Sequence, residues 1–249
     1  MSESIPPTDD GPLSGKRFLW SNPELLTIEA HQGLGISPCE TRFSIAANVR
    51  ALPLTVTEFR SAQRDYPILF SDVENPMPII GVGFQEDRNL FIDAEGRWEY
   101  GRYIPAYLRC HPFAIARASE DQLAMVIDRA APSINDAPEQ PFFVDGKFSK
   151  IVEDAANFCS TFDAEWNRTG VVCKRIAELG LLTWQGLRDK SSSDDPLRFA
   201  AVDVEKLTQL SKDDIHALHQ EGTLAAIHAH LFSLDRWSDL ALRQAAAKG

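Results

Sequence analysis

Between Asn89 and Phe113 the chain reads NLFIDAEGRWEYGRYIPAYLRCHPF, and no other stretch limits the fold as tightly. Aromatic rings at Phe91, Trp98, Tyr100, Tyr103, Tyr107 and Phe113 share it with three arginines, two prolines and His111. That is too many constraints for a connecting loop. Asp93-Ala94-Glu95-Gly96 separates the apolar run Leu90-Phe91-Ile92 from Arg97-Trp98-Glu99-Tyr100, with a glycine where a type I turn plus bulge needs positive φ. A hairpin is predicted there. Pro105 suits a first helical position, Ala106, Leu108 and Arg109 are good helix formers, and Pro112 forbids continuation, so Pro105 to Cys110 forms about one or two helical turns. An edge strand is the alternative, because proline is tolerated there. On the helical reading Tyr103 and Tyr107 lie about one turn apart, as do Ile104 and Leu108. One pair can then face the core while the other, with Arg109, lines an exposed surface.

A chain of 249 residues with 44% apolar content can bury a sizeable core, and one domain is the simpler organisation. Residues 1–16 are polar and rich in proline and glycine, which predicts a disordered tail. Beyond it, Gly33, Gly35 and Pro38 break regular structure, so the expected division is a tail and irregular arm over 1–45 and a single α+β domain over 46–249. A net charge of −11 and a pI near 5.0 argue against a nucleic-acid or anionic-membrane surface. No window approaches the roughly eighteen uninterrupted apolar residues of a membrane span, so no membrane insertion is expected. Met1 to Gly15 lacks the basic start and apolar centre of a signal peptide, which points to a cytoplasmic location. Cysteines at 39, 110, 159 and 173 show no C-x-x-C spacing and are read as reduced, mostly buried thiols.

Along the chain, Leu54 to Arg60 carries β-branched residues, and strands are read at Tyr66–Phe70 and Pro78–Phe84. Gly81 and Gly83 resemble half of a dinucleotide-binding fingerprint, but no helix follows, so close strand packing explains them better. Phe113–Arg117 pairs with Leu123–Ile127, and Phe142–Val144 meets Lys147–Phe148 across Asp145-Gly146. Ser149 is placed to cap a helix through Trp166, and a second helical stretch stops at Gly180. Leu181–Leu187 and Leu197–Val202 read as strands, and three helices follow: from Asp203, from Ser211 with a capping box to Asp214, and a long one from Leu224. The fold class expected is therefore α+β, with a mostly antiparallel, meander-like sheet (about 52–148 and 181–202) packed by C-terminal helices.

Several constellations can carry chemistry. Cys110 and His111 are adjacent, so their side chains point apart and a nucleophile-base role needs a special turn. His216 and His219 stand at i and i+3, with His228 and His230 one helix further on, yet no H-E-x-x-H or third ligand is evident, so no metal is expected. Asp93, Glu95 and Asp128 can supply carboxylates near Arg102 and Arg109, although turn chemistry accounts for the first two. Trp98, Tyr100, Tyr103, Tyr107 and Arg109 are the residue types that anchor recognition sites, and equally those of an aromatic core.

Tyr66-Pro67, Pro78 with Gly81, Asn89-Leu-Phe-x-Asp93-x-x-Gly96-x-Trp98, Tyr103-Ile-Pro-Ala-Tyr-x-Arg109 and Pro112-Phe113 together resemble the signature of the bacterial SapC family. Val202-Asp203-x-Glu205-Lys-Leu207, Gly222-x-Leu224 and His230-Leu-x-Ser233-Leu234 are similar to its C-terminal pattern. The resemblance implies a protein of surface-layer and peptide-resistance contexts, often encoded beside outer-membrane TonB-dependent receptors and oxygenases or halogenases. It is distinct from the membrane permease of the same name. Where the family pattern carries a second arginine and an aromatic residue, this chain has Cys110 and His111. The expectation is a cytoplasmic accessory protein that binds a partner protein, peptide or small ligand through Trp98, Tyr103, Tyr107, Arg109, Asp93 and His230. An enzyme modifying or degrading an imported ligand, with or without a metal or cofactor and with a site formed by Arg109, nearby acids and His230, is the alternative, and an oligomeric scaffold is the third reading. No cofactor is specified by the residues.

Overall fold

A computed structural model describes residues 17–84, 87–119, 122–187 and 197–247. The predicted disordered tail over 1–16 lies outside these residues. The chain divides into two compact units built from interleaved segments. The first holds residues up to Ala47 with Ile92–Tyr100 and Ala106–Ala164, and the second holds Asn48–Phe91, Gly101–Pro105 and the chain from Glu165 onward.

In the first unit the strands Phe113–Ser119 and Gln122–Asp128 pair antiparallel as predicted, and Pro23–Leu25 of the arm adds to the outer edge, Glu24 opposite Ile127. The arm is thus not wholly irregular. Its second strand, Gly35–Ile36, lies between Ile134–Asn135 and Gln140–Pro141, and an added Cβ at Gly35 would run into the Gln140 carbonyl. The hairpin Phe143–Val144/Lys147–Phe148 turns through Asp145 at φ 50° and Gly146 at φ 73°, the left-handed pair that an Asp-Gly turn supplies. Leu26, Phe113, Ile127, Phe142, Val152 and Cys159 form the core beneath.

The second unit is a five-stranded antiparallel sheet in the order Leu182–Leu187, Leu197–Val202, Ile68–Phe70, Pro78–Gly81, Ala51–Pro53. Helices cover both faces. Phe70, Ala200 and Val202 pack with Ile176, Leu218 and Ile227 on one side, while Leu69, Ile79, Phe199 and Ala201 pack with Leu234 and Trp237 on the other. The α+β class with antiparallel strands therefore holds, but the meander does not: Leu197–Val202 pairs with Ile68–Phe70 through Ala200 and Phe70, a long-range contact that local pattern does not encode.

Three stretches take a form that local pattern does not announce. Residues 54–60 are not a strand, because Glu58 folds back to accept hydrogen bonds from the Thr55 N–H (2.9 Å) and hydroxyl (2.8 Å), opening a 3₁₀ turn, Val56–Glu58, and the helix Phe59–Ala62. This reciprocal cap outweighs the β propensity of Val56 and Thr57. The two helical stretches after Ser149 are one helix, Lys150–Glu178, and the Ser149 hydroxyl donates to the Pro141 carbonyl (2.5 Å). The long C-terminal helix is two, Thr223–Ser233 and Arg236–Ala246.

Candidate functional site

The central segment is partitioned by its own chemistry. In the second unit, four hydrogen bonds seize Arg102 and Tyr103. The Tyr103 hydroxyl donates to Glu58 Oε1 (2.9 Å), its N–H donates to Asp65 Oδ2 (2.9 Å), its carbonyl accepts from the Tyr66 hydroxyl (2.6 Å), and Arg102 Nη1 donates to Asp65 Oδ1 (3.1 Å). Glu58 is itself buried, so a carboxylate taken from water is repaid by three donors. Tyr103 is a clamp within this unit.

His230 is fully buried in the same unit. Its Nδ1–H donates to the Ile68 carbonyl (2.7 Å) and its Nε2 accepts the Val202 N–H (3.1 Å), which fixes one neutral tautomer. Burial pushes its pKa down to about 4, against the smaller opposing pull of the Ile68 carbonyl. Both ring nitrogens are spent on joining two strands to a helix.

In the first unit, Asp93 organises the predicted hairpin: Oδ1 accepts from the N–H of Glu95 (3.1 Å) and Arg97 (2.8 Å), and Oδ2 takes Arg97 Nε (2.8 Å). The Arg97 N–H is the foremost of the bonds that lower its pKa. Gly96 takes φ 83°, as the turn required. Trp98 is buried edge-on against Phe43, with ring centroids 6.2 Å apart, opposite Ile92.

The helix Ala106–Cys110 carries the remaining pair. The half-buried Tyr107 ring lies 6.1 Å from both Phe18 and Phe162, and its hydroxyl donates to the Phe18 carbonyl (2.5 Å). Arg109 is exposed, its guanidinium over the Phe158 ring at 5.1 Å. Phe158 and Phe162 are one helical turn apart on Lys150–Glu178. Together they make an aromatic shelf with a cation on its rim. A second cation stands nearby: Arg42 lies over Phe43 at 4.4 Å, and its pKa is lowered by desolvation and further by the positive charge of Arg109, against a pull from Cys39.

Sequence spacing missed one pair. His111 does not engage Cys110; its Nε2–H donates to Asp128 Oδ2 (3.1 Å), both side chains being buried. Asp128 also accepts from the N–H of Ser21 (3.1 Å) and Asn22 (2.9 Å). Burial alone would raise the Asp128 pKa, but the Asn22 and Ser21 N–H groups and His111 outweigh it and hold it below the ordinary value. Burial also lowers the His111 pKa, overriding Asp128, so the pair is a neutral imidazole donating to a carboxylate.

A family profile matches residues 26–240 and so covers most of the chain. The chain belongs to the SapC family. No curated protein and no solved structure matches it. The matched span begins well before the first of the resemblance motifs, at Tyr66, and takes in most of the arm. Several residues that carry the SapC resemblance hold the fold: Tyr66 and Tyr103 bond each other, the Asn89 side chain accepts from the Phe91 N–H (2.9 Å), and Asp93 with Gly96 makes a turn. Of the six expected site residues, Asp93, Trp98, Tyr107 and Arg109 fall in the first unit and Tyr103 and His230 in the second. Among the described residues no group of three His, Cys, Asp or Glu is placed to hold a metal ion, and no helix is long and apolar enough to cross a membrane.

Proposed function

We propose that this SapC-family chain is a cytoplasmic accessory protein of bacterial surface-layer or TonB-dependent nutrient-uptake systems that binds a partner protein, peptide or small ligand at the Tyr107–Arg109 shelf. One observation carries the reading: an exposed arginine is oriented by the Phe158 ring beside Tyr107 and Phe162, a rigid platform at little entropic cost. Trp98 and Asp93 support the platform by fixing the hairpin, while Tyr103 and His230 maintain the second unit. The overall acidity of the chain favours ligands with a localised negative group over polyanions.

The test is a ligand screen by thermal shift against peptides and aromatic acids. Ligands that raise the midpoint of the wild type are expected to lose that effect in Arg109→Gln, each shift being read against that protein's own unliganded midpoint. A ligand that binds both proteins equally counts against the shelf. The His111–Asp128 pair favours a second reading, an enzyme acting on an imported ligand, because a carboxylate holding Nε2–H leaves Nδ1 as the basic atom of the imidazole. Turnover of a screened ligand that His111→Gln abolishes without weakening binding would establish that alternative.

A further inference from the structure

Residues 17–22 run beside this shelf, with Phe18 packed on Tyr107, and the stretch is attached at several further points. Arg17 Nη2 donates to the Ile115 carbonyl (2.6 Å), the Phe18 carbonyl accepts from the Tyr107 hydroxyl (2.5 Å), and the Phe18 ring stands against the Tyr107 ring at 6.1 Å. Trp20 meets His111 edge-on at 5.6 Å and packs on Ala114, Ala116 and Val126. At the far end the buried carboxylate of Asp128 holds two successive backbone N–H groups, those of Ser21 and Asn22, and the Asn22 carbonyl accepts from the Arg129 N–H (2.8 Å). Between these anchors Leu19 sits at φ 70°, left-handed backbone that a leucine adopts only under constraint.

The segment therefore combines a charged latch with a strained bend. Its cover falls on the ring and hydroxyl of Tyr107. A bend that opposes closure, with few deeply buried side chains to resist it, is the make-up of a segment that opens locally while the rest stays folded.

We propose that residues 17–22 are a strap latched by Asp128, which covers Tyr107 in the closed state and lifts to open the shelf beside Arg109. This regulation rests on the shelf being the recognition site, and the strap has a readout of its own.

The experiment uses the full chain and two measurements: hydrogen exchange at the Ser21 and Asn22 amides, referenced to the Phe142 amide of the same unit, which is held by the Leu34 carbonyl (2.9 Å); and binding of 1-anilinonaphthalene-8-sulfonate, whose rings suit the shelf and whose sulfonate suits Arg109. Asp128→Asn replaces an acceptor-only carboxylate by an amide that must turn a donor toward at least one N–H. It is expected to speed exchange at Ser21 and Asn22 about tenfold or more relative to Phe142 and to strengthen dye binding. Leu19→Asn, which tolerates the left-handed conformation, is expected to slow that exchange severalfold and weaken the dye. Exchange at residues 21 and 22 that rises only in step with Phe142, or that rises in both variants, overturns the strap. Dye binding in Asp128→Asn that survives Arg109→Gln removes the shelf as the recognition site, while the exchange result still decides the strap.

Discussion

Tyr103, Trp98 and Tyr107 are all rings of the family segment, yet their polar atoms and neighbours assign them different work. Tyr103 spends its hydroxyl on a buried acid and Tyr107 on a backbone carbonyl, so removing either hydroxyl is a packing-neutral test. Tyr103→Phe leaves Glu58 one donor short and should cost about 1–2 kcal/mol in urea unfolding; a change near zero would show that water replaces the phenol. Gly96 is constrained twice, by φ 83° and by the Ser44 Cβ, 2.9 Å from where its own Cβ would stand. Gly96→Ala should therefore lower stability by roughly 1–3 kcal/mol, and an unchanged denaturation midpoint would contradict the turn geometry.

His230 gives the clearest proton linkage. Its folded pKa, about 4, lies below the roughly 6.5 of an unfolded chain, so the unfolded state binds more protons between those values. Its contribution is complete above about pH 6.5 and is lost as pH falls toward 4, a loss of up to about 3 kcal/mol. Urea titrations at pH 7.5, 5.5 and 4.5 should show that slope in the wild type, and a shallower one in His230→Gln.

At the scale of elements, the hairpin at 93–96, the short helix after Pro105 and the Asp145-Gly146 turn were legible because each is set by φ preferences and side-chain bonds within a few residues. The helical turns over 56–62 were not legible, because β-branched residues are counted more readily than a Thr-x-x-Glu cap three residues apart. The break between Thr223–Ser233 and Arg236–Ala246 lacks a glycine or proline to announce it. The second of these helices carries an internal anomaly: Gln244 is 4% exposed, and neither side-chain amide atom has a hydrogen-bond partner among the described residues. Gln244→Leu should then be neutral or stabilising by about 1 kcal/mol, since no bond is lost and a desolvation cost is removed. A clear fall in the thermal midpoint would reveal that the amide is paired.

At the scale of the whole molecule, all four cysteines are free, two of them buried, and burial pushes the Cys173 thiol up to about 12, where it stays protonated and unreactive. Thermal midpoints with and without reductant should agree within about a degree, because no cross-link contributes; a reductant-sensitive midpoint would mean a disulfide forms in solution. The interleaving of chain segments between two units is a global property as well, and composition carries no trace of it.

Residue order alone determined the α+β class, the antiparallel habit, the turns, most helix ends and the SapC membership, since each is written in short-range conformational preference or in motif. Only the tertiary structure decided that Leu197–Val202 lies against Ile68–Phe70, that His111 turns to Asp128, that His230 is locked between two strands, and that Phe18 covers Tyr107. Those pairings join residues 17 to 162 positions apart, and which apolar faces and buried polar groups can satisfy one another at such separations is settled by packing the whole chain.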